Sequence, residues 1–335
     1  ASKMPPQKER IGTMKKIFAE AIVPGDIIDD EFALAEKTVL QKKDGNAYLN
    51  VVLADRTGRI QGVVWDDVPT IAAAAAAGDF VKVTGRVSEY RGMPQMVIKT
   101  MTALSADAVN PEDFLPATDL DTEQLFERLV KVTRTFTTPW LTRLFEAFWQ
   151  DAAFVAAFKK APAAKRMHHA YLGGLLVHCL SMAVLADKIA FHYSGLDREL
   201  LIAGAILHDI GKLREFDYTA SIDYSDEGRL LSHIVIGLEM LEDKLREIPD
   251  VPREHANLLK HMIVSHHGEP AFGAPEPPKT IEALVLHYID DLDSKINAVR
   301  EFMAKEDPSQ TWTSYHRLLG RHFYLGHGSG ETPKD

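Results

Sequence analysis

The chain has 335 residues, 46% apolar and 26% charged, and its 38 Lys and Arg against 48 Asp and Glu give a formal charge of −10. That length allows two domains, and the acidic total argues against a chain that is basic all over, so a nucleic-acid partner would need a local basic patch. The single cysteine, Cys179, excludes an internal disulfide and a Cys-based zinc site and fits a reducing cytoplasm, while no run approaches the roughly 18 uninterrupted apolar residues of a membrane span, so no membrane partner is expected.

Residues 1–21, which begin "ASKMPPQKER", read as an N-terminal extension without the apolar segment of a secretory signal. From 22 to 109 the pattern is one of short strands. In "AYLNVVLADRTGRIQGVVW", Tyr48, Asn50 and Val52 alternate with Leu49, Val51 and Leu53 up to a turn at "DRTG". "DFVKVTGRVSEYRGMPQMVIKTM" repeats the plan, with a break at Gly85 and a turn at "RGMP". Between the pairs, "VPTIAAAAAAGD" predicts a short helix closed by Gly78. Five strands with one helix before the last pair predict a small Greek-key barrel of the OB type.

Most of the acidic excess lies outside this barrel: 14 Lys and Arg meet 16 Asp and Glu up to Leu115, against 24 and 32 beyond it. From Lys82 to Lys99, four cations (Lys82, Arg86, Arg91 and Lys99) meet Glu89 alone, a local charge of +3. With Tyr48, Trp65 and Tyr90 as candidate stacking platforms, this strip suits single-stranded nucleic acid, whose bases stack and whose phosphates take cations. A barrel with core aromatics and merely solvated lysines fits the same spacing equally well.

Residues 110–121, "NPEDFLPATDLD", carry two prolines and four acids and read as a linker. From 122 to 305 the period is helical, as in "GGLLVHCLSMAVLADKIAFHY", "RELLIAGAILHDIGKL" and "TIEALVLHYIDDLDSKINAVREFMAKE". "FDYTASIDYSDEGR" alternates instead and predicts a hairpin-like flap. Residues 306–335 form a tail with Arg317, Arg321 and several aromatics, whose place is open. The expected fold class is multidomain α and β: a five-stranded OB-type barrel followed by an all-α domain.

The stretch "GAILHDIGKLREF" sets His208 and Asp209 side by side in an apolar helix. An unpaired neutral polar group costs roughly 2–7 kcal/mol in such surroundings, and a charge costs more. Candidate partners interrupt other apolar helices in the same way: His178, His233, His266, His267 and Asp290. Convergence on shared metal would repay that cost, and imidazole with carboxylate and no thiolate favours Mn, Fe, Co, Ni or Zn over Mg. A lone histidine on an apolar face is commonly a satisfied core residue, the reading given to His192, His255, His261, His287 and His316. Spacing does not choose cleanly among Asp290, Asp291 and Asp293. Asp290, three after His287, is the expected ligand.

The order His178, His208–Asp209, Asp290, with "HDIGK" thirty residues after the first histidine, resembles the HD metallophosphohydrolase superfamily. The additional His233, His266 and His267 resemble its binuclear subclass, which implies two ions, with His178, His208, Asp209 and Asp290 around one and Asp209, His233, His266 and His267 around the other. The strings "HHAYLGGLLVH", "DEGRLLSHIVIG" and "SHHGEPAFGAPEPPKTIEALVLHYIDDLDSKINA", behind an OB-like barrel, narrow the resemblance to the YhaM-type 3′–5′ exoribonucleases over about Ile22 to Ala298. The resemblance implies hydrolysis of single-stranded RNA, and often DNA, from the 3′ end to nucleoside 5′-monophosphates, with Mn²⁺ or a similar ion (Co²⁺, Fe²⁺, Ni²⁺ or Zn²⁺). Lys212 in "HDIGK" and Arg229 are expected to meet the phosphate, Asp209 to be catalytic as well as a ligand, and His168 or His169 to contact substrate or protonate the leaving group. Two rivals stand beside this reading: hydrolysis of a small nucleotide or cyclic dinucleotide, and an inert nucleic-acid-binding adaptor. A homo-oligomer stays open.

Overall fold

The computed structural model describes residues 15–42, 45–165, 169–218 and 222–326, so His168 lies outside the described residues. By contact the chain divides into two compact units, one running up to Asp119 and including Phe216–Tyr224, the other comprising Leu120–Glu215 and the residues from Ser225 onward.

The first unit is a closed barrel of β1 (Ile27–Gln41), β2 (Ala47–Asp55), β3 (Gly58–Val64), β4 (Phe80–Tyr90) and β5 (Met93–Leu104), in the order β1-β2-β3-β5-β4, with α1 (Val68–Ala74) between β3 and β4. β1 closes it by serving two neighbours: Ile27–Ala33 pair with β4 and Ala33–Gln41 with β2, across a bulge between Leu34 and Glu36. A bulge adds the local bend and twist that such a corner needs. A short parallel stretch, Gln61–Val63 against Gln95–Val97, seals the other side. Alternation then fills the interior with Phe32, Leu34, Leu49, Val51, Leu53, Val81, Val83 and Met96.

Three boundaries differ from the sequence expectation, each through a long-range contact. Lys15–Ala21 belong to the barrel: the buried Lys15 ammonium lies 3.3 Å from Asp55 Oδ2 and 3.6 Å from the Phe32 ring centroid. Asp30 accepts from the Lys16 and Ile17 amides (2.8 and 2.7 Å), and Asp55 from that of Ala19 (2.7 Å). At the other end, Phe114 packs on Phe80 with centroids 4.7 Å apart, so the start of the expected linker is part of the barrel core. The inserted helix stops at Ala74 rather than near Gly78: Ala75 is extended, and Lys37 from β1 donates to the carbonyls of Ala72 and Ala75, so these ends are satisfied from another strand rather than by further helix.

The second unit is helical: α2 (Thr122–Thr133), α3 (Pro139–Gln150), α4 (Ala152–Lys160), α5 (Gly174–His192), α6 (Arg198–Leu207), α7 (Lys212–Glu215), α8 (Asp226–Arg246), α9 (Arg253–Ser265) and α10 (Ile281–Met303). α6 is buried on every side from Leu200 to Leu207, as an all-apolar helix must be, and α5 packs along it. By mean hydropathy, 1.6, α5 does meet the length and apolarity of a membrane span, contrary to the reading from uninterrupted runs, yet half of that stretch is buried inside the protein. The expected flap is a two-stranded hairpin, β6 (Phe216–Asp217) with β7 (Asp223–Tyr224), and groups with the first unit. In the tail, His316 packs on Phe302 at the end of α10. His316 is a core histidine as expected, whereas His192 and His255 are exposed.

Candidate metal centre

His208 ends α6 and Asp209 begins the turn into α7, so both project where a buried helix runs out. That turn passes so close to α8 that a Cβ on Gly211 would sit 1.9 Å from the His233 carbonyl oxygen. The glycine of "HDIGK" is there because no side chain fits. α5 brings His178, α8 His233, the end of α9 His266 and His267, and α10 Asp290.

Four of the imidazoles are turned alike. The Nδ1 of His178 meets Asp293 Oδ2 (2.9 Å), that of His208 the Ala205 carbonyl (3.0 Å), that of His233 Glu215 Oε1 (2.9 Å) and that of His266 the Ile263 carbonyl (2.7 Å). A ring that donates from Nδ1 presents an Nε2 lone pair when neutral, so four lone pairs face inward. His178 Nε2 lies 3.2 Å from His208 Nε2 and 3.3 Å from Asp290 Oδ1. Two lone pairs and a carboxylate at that range repel unless a positive charge lies among them. Burial would lower the affinity of His178 for a proton, but the hydrogen bonds to Asp290 and Asp293 outweigh it and push its pKa up to about 9. A divalent cation answers the same demand.

Asp209 links this group to a second. Its Oδ2 lies 3.6 Å from His178 Nε2 and 3.3 Å from His208 Nε2, while its Oδ1 lies 3.6 Å from His233 Nε2 and 3.7 Å from His266 Nε2. Among the described residues, the buried side-chain atoms without a hydrogen-bond partner are Asp209 Oδ1, His233 Nε2, His266 Nε2 and His267 Nδ1. All four are acceptors when the rings are neutral, and they meet at one place. His233, His266 and His267 form one set of potential ligands and His178, His208 and Asp290 another, each with donor atoms within 4.8 Å of one another. The residues therefore fit a divalent cation at either position. Burial, then neighbouring imidazoles, holds His266 and His267 below the usual histidine range, which keeps them unprotonated and able to ligate.

Asp290 points to the cation-facing nitrogens, Asp293 to the back of His178, and Asp291 to Lys295 at the surface (2.7 Å). Lys212 donates to Asp209 Oδ2 (2.6 Å), so its ammonium rests on the carboxylate that lies between the two sets of imidazoles. Arg229 is exposed in the first turn of α8. His169 is buried behind His178, its ring nitrogens on the Tyr171 hydroxyl (2.7 Å) and Asp293 (3.4 Å), so it stands away from the cation-facing side where a leaving group would need it. Sequence reasoning missed Asp293 and Glu215 as partners of the ligating rings. Asp293 lies three residues after Asp290 on the same helix, and that spacing was the available signal; Glu215 carried none.

On the barrel, the seven residues expected to meet nucleic acid divide between two hairpins. Tyr48 on β2 and Trp65 just after β3 stack with centroids 5.2 Å apart, and Lys42 sits 4.7 Å from the Trp65 ring. Lys82, Arg86 and Tyr90 take outward positions on β4, with Arg91 in the following turn 5.3 Å from the Tyr90 ring and Lys99 exposed on β5. Lys82 also lies 3.3 Å from Asp29, which answers part of the strip's charge.

An HD-domain family model matches residues 175–295, and one for an OB-fold nucleic acid binding domain matches residues 36–104; a third, described as a putative helicase, matches residues 110–195. Fold and centre thus define a metal-dependent phosphohydrolase of the HD type joined to an OB-fold barrel. Proteins described as 3′–5′ exoribonuclease YhaM from Bacillus velezensis, Geobacillus sp. and Bacillus subtilis are 34, 33 and 33% identical to the chain, over 90% of its length and 95, 92 and 95% of theirs. The chain belongs to the YhaM family of 3′–5′ exoribonucleases.

Proposed function

We propose that this protein hydrolyses single-stranded RNA, and single-stranded DNA as a second substrate, from the 3′ end to nucleoside 5′-monophosphates, using two divalent ions of which Mn²⁺ is the native one. The observation that carries this reading is Asp209, whose two carboxylate oxygens serve two separate sets of inward-facing imidazoles. A cation pair bound there would supply an acidified water and neutralise the scissile phosphate. Around it the chain's own groups divide the work. Asp209 holds the two positions at a fixed spacing, and Lys212 beside it offers a cation for charge that develops on the phosphate. Arg229 offers a planar fork as a second clamp on the phosphate. The relatives' names support the RNA substrate and the direction of attack.

In the barrel, Trp65 and Tyr48 give a stacking surface and Arg86, Arg91 and Lys99 give cations, a combination that holds a strand with little regard to sequence. A small cyclic substrate would have no use for it. The buried free thiol of Cys179 suits a cytoplasmic protein. The deciding experiment is incubation of 5′-labelled single-stranded RNA with Mn²⁺ and either wild type or Asp209→Ala. A ladder shortening from the 3′ end, absent in the variant, is expected. Release of internal fragments, or equal activity in the variant, would overturn the proposal.

A further inference from the structure

α8 is broken next to one of its ligands. Ser232 adopts φ 62° and ψ 160°, a region that glycine alone occupies without strain, so the helix turns out of line just before His233. In an unbroken helix the His233 amide would bond the carbonyl four residues earlier. Here it donates to Glu215 Oε1 (2.9 Å), and the same oxygen accepts from His233 Nδ1 (2.9 Å). One carboxylate therefore holds both the backbone and the ring of a single ligand.

The surrounding turns are built to deliver that carboxylate. Ser225 caps α8 through the Gly228 amide (2.9 Å), donates its hydroxyl to the Arg214 carbonyl (2.6 Å) and its amide to the Glu215 carbonyl (2.9 Å). A Cβ on Gly228 would lie 2.2 Å from the Glu215 carbonyl oxygen, so the two segments touch backbone to backbone. Glu215 itself is only 5% exposed.

We propose that Glu215 is the positioning residue of the cation position formed by Asp209, His233, His266 and His267: it replaces the helical acceptor lost at Ser232 and fixes His233 with Nε2 aimed at the ion. This rests on the two-ion reading above. Asp293 does the corresponding work on the ring of His178, so each position has one carboxylate-backed histidine, but only the one beside the strained kink also needs its backbone held. Such outer carboxylates typically change metal affinity by about 10- to 100-fold.

The test is calorimetric titration of the full chain, freed of metal, with Mn²⁺. Asp290→Ala and His267→Ala serve as markers for loss at the first and second positions. Glu215→Gln keeps an acceptor for the amide but loses the charge. It is expected to weaken one binding event about 10- to 100-fold with the signature of His267→Ala, leaving the other event at wild-type affinity. Glu215→Asp retains the buried charge but is one methylene shorter, and it is expected to do the same should the glutamine variant not fold. In a His233→Ala background, Glu215→Gln is expected to add nothing further, because it acts through that ring. Both events unchanged, or both weakened alike, would overturn the assignment. A wild-type protein that takes up no Mn²⁺ would instead overturn the two-ion reading on which it rests.

Discussion

Two buried polar clusters, one in each unit, invite comparison. In the barrel, Lys15 sits between Asp55 and the Glu31 carbonyl, while Asp30 and Asp55 take the amides of Lys16, Ile17 and Ala19. Each of these groups serves another, and the cluster is closed. In the helical unit, Asp209 Oδ1 and three imidazole nitrogens face one another, and none of the four has a hydrogen-bond partner among the described residues. Both clusters lie out of water, so burial does not tell them apart. A closed cluster holds a fold together, whereas an open one is a request for a ligand, and the stability it forgoes is what binding would return.

The comparison breaks most severely if the closed cluster turns out to be dispensable. Lys15→Ala leaves the buried Asp55 carboxylate without its cation and is expected to destabilise the barrel by about 3–5 kcal/mol, read as a lower urea midpoint for the full chain. Burial lowers the pKa of Lys15 while Asp55 and Asp30 raise it, and burial wins. The ammonium is therefore held at a cost that only those acids offset. A shift under about 1 kcal/mol would mean that the N-terminal strap adds little to the barrel.

How much of this was legible in the sequence follows from the range of each signal. His178, His208, Asp209, His233 and His266 could be picked out because each interrupts an apolar helix within one turn, and a break in a period is local information. Glu215 carries no such mark: it follows Lys212 and Arg214 and reads as an exposed charge, and only the return of α8 over α7 buries it. Lys15 escaped for the same reason, since its partner lies forty residues ahead in the chain. Alternation put Leu49, Val51 and Leu53 on one face of β2, which the barrel interior buries, although Val52 on the other face, with Tyr48 and Asn50, is buried as well. It cannot say which strands neighbour one another round a barrel: the pairing of β3 with β5 sets the hairpin that carries Tyr48 and Trp65 beside the one that carries the cationic strip.

A gain in stability is the expected mark of the open cluster. His267→Leu removes a buried nitrogen that has no partner and keeps a side chain of similar bulk. The metal-free variant is expected to be more stable than wild type by about 1 kcal/mol, while its Mn²⁺ uptake falls. Measuring both on one preparation sharpens the contrast, since a residue that merely packs would lose stability and leave uptake unchanged.

An effect of similar size, confined to a pH window, comes from a group that lies between the two cases. Glu199, at the start of α6, accepts from the Thr137 amide (2.7 Å) and hydroxyl (2.9 Å) and from the Thr138 amide (2.9 Å), tying α6 to the entry of α3. Burial would raise its pKa, but these hydrogen bonds outweigh it and hold the carboxyl below its ordinary 4.5. A carboxyl lowered in the folded state contributes stability that is fully present above its unfolded pKa and is lost as pH falls through the folded one. The difference in urea stability between wild type and Glu199→Gln is therefore expected to hold at about 1 kcal/mol from pH 7 down to about 5 and to shrink below 4.5. Should the difference widen in acid, Glu199 would be an acid held against its preference, and the line between closed and open clusters would have to be drawn elsewhere.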